Sequence, residues 1–204
     1  NALVNATTYV ACKDKFGQFW IGTFDGLSIY KGRTGFDFFD NYKNVLGDST
    51  SLSDNTISII FKDSKDRLWV GTRSGLNLVI QKGKDDRATF RAFGIRHGFK
   101  NDVIQAIQED NEGNLWIGTN DGLTLFDPDA AIAGKEGVLR NYTKEDGLAG
   151  QGVVFRSSFQ DNDGRLYFGS AAGLNYFTPS KLTDNPELPK VVFTELKVLN
   201  KVIK

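Results

Sequence analysis

Methionine is absent from the 204 residues, and cysteine and histidine occur once each. A single thiol, Cys12, has no partner for an internal disulfide, and its place in an apolar stretch reads as a buried structural group compatible with cytoplasm or periplasm. One histidine and one cysteine exclude a zinc cluster of His/Cys type, so no metal or other cofactor is expected. Net charge is missing as well: 25 Lys and Arg balance 25 Asp and Glu, which leaves no global field to recruit nucleic acid. No apolar run approaches the roughly 18 residues that a membrane span requires. Nor does any Gly-x-Ser-x-Gly elbow or glycine-rich phosphate loop occur. With no methionine even at position 1, the chain reads as a piece excised from a longer protein, and Asn1-Ala2 as a tag remnant.

What is present is repetition. Trp20-Ile21-Gly22-Thr23 returns as Trp69-Val70-Gly71-Thr72, as Trp116-Ile117-Gly118-Thr119 and, degenerately, as Tyr167-Phe168-Gly169-Ser170. The aromatic positions lie 49, 47 and 51 residues apart, a period that belongs to repeat architectures. Asp14, Asp63, Asp110 and Asp161 each stand six residues before the aromatic; a Gly-Leu pair follows it at the same distance. Each unit reads as a meander of four antiparallel strands. In the second, Thr56–Phe61 is β-branched and apolar, Asp63–Asp66 turns, Leu68–Thr72 and Leu76–Ile80 form the middle strands, and Ala88–Phe93 alternates as an outer strand. The turn ends in Gly17, Gly113 or Gly164 in the other copies, with Asp66 in the glycine's place in the second.

The expected fold is therefore all-β: four β-propeller blades over 3–47, 48–97, 98–147 and 148–183, a fragment of a larger propeller. Inner strands are expected near 6–12, 56–62, 103–109 and 153–160, with no helix longer than two turns. Trp20, Trp69, Trp116 and Tyr167 are expected in equivalent, largely buried positions, and Gly22, Gly71, Gly118 and Gly169 as gaps on the same face. These residues and the four aspartates recur in every copy, which marks them as scaffold. Residues 184–204 read as a linker followed by a strand at Val191–Val198, either the outer strand of the last blade or the start of another domain.

The phrases Glu109–Leu123 and Thr143–Leu148 resemble the two-component regulator propeller repeat. Asn175–Pro179, Pro189–Thr194 and Leu199–Lys201 resemble the passage from a last blade into the Ig-like "triple tyrosine" domain of the same proteins. The resemblance spans essentially the whole chain. It implies the periplasmic sensor of a membrane-anchored signalling protein, a histidine kinase or diguanylate cyclase, that binds a small polar ligand such as an oligosaccharide and is not itself an enzyme.

Ligand chemistry is expected where copies differ, on loops entering the inner strands (48–55, 96–102, 145–151) and loops joining second to third strands. Phe24, Arg73, His97, Asn101, Asn120, Asp121 and Gln151 offer stacking and hydrogen-bonding groups there. Arg156, inside an inner strand, needs a partner or a wet channel. Two other readings stay open: a glycosidase or lyase propeller, since the Asp turns faintly resemble the sialidase Asp-box, and a protein-interaction scaffold. Uncovered end blades would also favour self-association.

Overall fold

A computed structural model of the chain describes residues 2–30, 39–83, 86–135, 139–182, 196–198 and 201–203. Four antiparallel sheets follow one another along the chain. The first holds β1 (Thr8–Lys13), β2 (Phe19–Thr23), β3 (Gly26–Tyr30) and β4 (Phe39–Tyr42) in that order. The second holds β5 (Ile57–Lys62), β6 (Leu68–Thr72), β7 (Gly75–Ile80) and β8 (Thr89–Phe93). In the third, β9 (Ile104–Glu109), β10 (Leu115–Thr119) and β11 (Gly122–Phe126) lead through a short helix, α1 (Pro128–Ile132), to β12 (Leu139–Tyr142). The fourth has three strands among the described residues, β13 (Val153–Gln160), β14 (Leu166–Ser170) and β15 (Gly173–Phe177). The fold is all-β, and the sheets are propeller blades.

Helix α1 was not foreseen, and its cause is local. Asp127 accepts from the backbone N–H groups of Asp129 and Ala130 at 3.0 Å each, and Pro128 opens the first turn. The expected linker at 184–189 lies outside the described residues, as does most of the strand at 191–198. Its described end, β16 (Leu196–Val198), pairs with β17 (Lys201–Ile203) in a separate two-stranded sheet.

One stacking rule joins the blades. Trp20 and Gly22 share a face of β2 and turn it toward the second blade, where Ile57, Ile60 and Val70 complete the core. Trp69 packs the same way with Ile104, Ile107 and Ile117 of the third blade. Trp116 does so with Val153, Leu166 and Phe168 of the fourth. The glycine beside each indole is a notch that takes the first apolar residue of the next inner strand. A Cβ on Gly22 would lie 2.6 Å from Ile57 Cγ2, one on Gly71 2.7 Å from Ile104 Cγ2, and one on Gly118 2.8 Å from Val153 Cγ1. The three indoles are accordingly buried.

Tyr167 departs from the expectation of burial. It is only half-buried, because among the described residues no blade covers the face it shares with Phe159 and Tyr176, both 62 % exposed. Gly169 has no knob from a neighbour either; its notch faces its own blade's Ser157. The first and fourth blades meet at their inner strands, where the Arg156 guanidinium donates to the Tyr9 carbonyl and the Tyr9 and Phe155 rings lie 6.2 Å apart.

The aspartate six residues before each aromatic does two things at once. Asp110 Oδ1 accepts from the backbone N–H of Glu112 and of Asn114, closing the β9–β10 turn, while Oδ2 accepts from the Trp116 indole at 2.9 Å. Asp14 and Asp63 repeat the arrangement with Trp20 and Trp69 at 2.8 Å. In the fourth blade the Tyr167 hydroxyl takes the indole's part, 2.9 Å from Asp161 Oδ2. Thus one carboxylate satisfies a buried indole N–H and fixes the hairpin that carries it. At the turn itself Asp66 adopts φ 59°, alongside 75° to 84° for Gly17, Gly113 and Gly164. In the same region of the first blade, burial pushes the Cys12 thiol up from its ordinary value, the Lys62 ammonium acting in the opposite sense.

The Arg165 backbone N–H, followed by the Tyr167 hydroxyl and the Asp163 N–H, holds the Asp161 carboxyl below its ordinary value of 3.8. A carboxylate depressed in the folded state stabilises above the unfolded value and loses that contribution as pH falls through the lower folded one. Urea midpoints of the natural chain should therefore drop more steeply than those of Asp161→Asn as pH falls below about 4. Parallel profiles would show that the turn carboxylate does not couple to folding.

Candidate functional site

The inner strands do more than pack. In β1 the register with β2 slips between Thr8 and Val10, in β5 between Ile57 and Ile59, and in β9 across the Gly118 to Thr119 step, leaving Tyr9, Ser58 and Gln105 as bulges. In β13 the break is wider, from Val153 to Ser158, and Arg156 sits there at φ 55°. For a residue with a Cβ that backbone costs about 1–3 kcal/mol, which the surrounding strand must offset. Each bulge delivers one side chain to a common space at the channel end.

That space is a cavity of about 350 Å³. Tyr9, Phe24, Ser58, Arg73, Gln105 and Phe155 supply its aromatic and polar groups, over a floor that includes Ile57 and Ile104. Tyr9 lies 5.1 Å from Phe24 at 51° between planes, and Phe155 meets Tyr9 at 80°. The rings form a corner and keep faces free. Arg73 sets its guanidinium 5.9 Å from the Phe24 ring centre and makes no ion pair among the described residues. Ser58 is buried, and its hydroxyl has no hydrogen-bond partner. No carboxylate and no histidine lines the cavity. Asp25, beside Phe24, is neutralised by Lys43 at 2.6 Å.

The candidate residues sort themselves around it. Phe24 and Arg73 form one wall. Asn120 stands at the rim, its Oδ1 accepting from Gln105 Nε2 at 2.6 Å. Asp121 and Gln151 meet beside it at 3.3 Å, and Arg156 stands outside the lining, its guanidinium donating to the Tyr9 carbonyl and lying 6.0 Å from the Phe155 ring. His97 and Asn101 lie elsewhere. His97 Nδ1 accepts from the Gly94 N–H inside a one-turn 3₁₀ segment, and Asn101 Oδ1 accepts from the Val103 N–H. Both serve loop geometry, and His97 lines a wider open groove of about 900 Å³ along the outer edge of the second blade.

Four cavity residues were not anticipated: Tyr9, Ser58, Gln105 and Phe155. A signal for the first three exists in the chain, and in the fourth copy it falls on Arg156, next to Phe155. Thirteen residues before the repeat glycine stand Tyr9, Ser58, Gln105 and Arg156, a different side chain in each copy between otherwise repetitive neighbours.

Among the described residues no group of His, Cys, Asp and Glu is arranged to hold a metal ion, and no helix is long and apolar enough to cross a membrane.

Residues 51–74 and 98–121 match the two-component regulator propeller. A histidine kinase of Formosa agariphila, P4, is 28 % identical across the whole chain, which covers 18 % of that protein. The extracellular domain assigned to a hybrid two-component system of B. thetaiotaomicron superposes with a TM-score of 0.77 at 27 % identity, over all of this chain and 27 % of its own. The chain thus spans about a fifth to a quarter of these relatives. Virginiamycin B lyase of Staphylococcus aureus shares the fold alone, with a TM-score of 0.59 at 13 % identity over 88 % of this chain and 55 % of the lyase.

Proposed function

We propose that this chain, an array of two-component regulator propeller repeats, is the extracytoplasmic sensing part of a membrane-anchored signalling protein, and that a small polar ligand, a glycan fragment, binds at the channel end. The observation that carries this reading is the cavity itself. Four blades each supply a side chain from an inner strand, and in the first three it stands at the position where otherwise repetitive copies differ. The kinase relative and the extracellular relative support a signalling role for the chain. Aromatic faces beside hydrogen-bonding groups suit a ligand with apolar C–H faces and hydroxyl edges.

Catalysis is the second reading, and the cavity does not favour it. Acid–base cleavage of a glycosidic bond uses two carboxylates a few ångströms apart, and this lining has none. For signalling, the ligand must bind one arrangement of the parent protein better than another, because equal affinity shifts nothing. A ligand spanning the first and fourth blades would favour the curvature that keeps Tyr9 against Phe155.

Calorimetric titration with an oligosaccharide panel, run beside a turnover assay, separates the readings. Binding without turnover is expected; turnover would make the chain an enzyme, and neither would leave a protein-interaction scaffold. In the intact parent, Phe24→Ala with Arg73→Ala should abolish the ligand-dependent output while leaving the fold unchanged. An undiminished response would move the site to other blades.

A further inference from the structure

We infer that the channel-end cavity selects an anionic sugar ring, a uronate whose carboxylate pairs with Arg73; this rests on the sensor reading above and narrows its ligand class. The charge inventory comes first. The chain as a whole carries no net charge, yet the cavity lining contains one ionised group, the Arg73 guanidinium, and no acid. A second guanidinium, Arg156, stands behind Phe155, with its Cζ 6.0 Å from that ring. The nearest carboxylate on the same loop as Phe24, Asp25, is already paired with Lys43. The lining itself is therefore positive, the Asp121 carboxylate standing outside it at the rim, where it accepts from Gln151 Nε2, and a guanidinium without an ion pair among the described residues offers a fork that a carboxylate fills with two parallel hydrogen bonds.

The remaining groups describe a ring with hydroxyls. Tyr9, Phe24 and Phe155 meet at steep angles, so a flat-sided ligand can lie against one face while its edge meets another. Ser58 contributes a buried hydroxyl without a partner, a group whose burial is unfavourable until a ligand oxygen reaches it. Gln105, held by Asn120 through its Nε2, keeps its carbonyl oxygen for a ligand hydroxyl. At about 350 Å³ the cavity is near the lower end of ligand sites, which suits one sugar ring rather than an extended chain. A neutral sugar would leave the guanidinium unanswered; a simple anion would leave the aromatic corner and the serine unused.

The experiment compares sodium glucuronate with glucose by chemical-shift titration of the chain at low salt. Glucuronate should bind about tenfold more tightly. Added salt should erode that preference and leave glucose unaffected. Arg73→Gln should reduce glucuronate to the affinity of glucose, and Phe24→Ala should weaken both. Shift changes should fall on Tyr9, Ser58 and Gln105. Equal affinities, a preference for glucose, or shifts mapping elsewhere would overturn the assignment while leaving the sensor reading in place. Absence of binding by both sugars would also overturn it, and the oligosaccharide panel then decides the sensor reading on its own.

Discussion

Replacing Trp116 by alanine should lower the stability of the chain by about 3–5 kcal/mol, read from the urea midpoint. The indole is 2 % exposed and sits between blades, with its ring 5.3 Å from Tyr142 and 4.6 Å from Phe177 of the next blade. Truncation removes the packing of both blades at once and takes from Asp110 Oδ2 the indole N–H at 2.9 Å, leaving it the Asn114 Nδ2 at 3.3 Å. Tyr167→Ala is the control. It occupies the same place in the repeat but faces an uncovered surface, so its loss should be nearer 1 kcal/mol. A Trp116→Ala loss below about 1 kcal/mol, or equal losses at the two sites, would refute the stacking rule.

Gly71→Ala should cost about 2–3 kcal/mol, a large effect for one methyl group. The new Cβ would stand 2.7 Å from Ile104 Cγ2 of the next blade and equally close to Ile59 Cγ2 of its own, so neither neighbour can yield without disturbing the other. Combining it with Ile104→Ala should cost less than the sum of the single changes, since the second substitution reopens the notch. Gly169→Ala meets only Ser157, a small side chain on an exposed strand, and should be milder. Strict additivity between Gly71→Ala and Ile104→Ala would show that the two residues do not share an interface.

The blades were legible because packing repeats itself. Every copy must seat an aromatic residue, a notch and a turn carboxylate, so their period survives in the sequence. The direction of stacking was not legible. Alternation put Trp20 and Gly22 on one face, but Ile57 as the occupant of the notch is a fact of tertiary structure. The aspartate's bond to the indole was hidden for the same reason: six residues separate the partners, and only the hairpin brings them together. At the site, Phe24 and Arg73 were accessible to reasoning because tight turns expose what they carry. His97 and Asn101 stand apart from the cavity because a loop rich in polar side chains spends them on its own backbone. Ser58 and Gln105 were hidden because a bulge reverses strand alternation locally, and simple alternation has no term for it.

The bulges separate two kinds of constraint that ordinary strands combine. Beside each bulge stands a residue committed to the wall between blades, such as Ile57 or Ile104, whose replacement disturbs a neighbour. The bulged residue itself, Tyr9, Ser58 or Gln105, touches the channel and sits apart from the notch. Under the sensing role proposed above, substitutions there change what the opening recognises while leaving the notch between blades filled. Ligand preference in such an array can therefore drift one blade at a time, each step invisible to the forces that keep the chain folded.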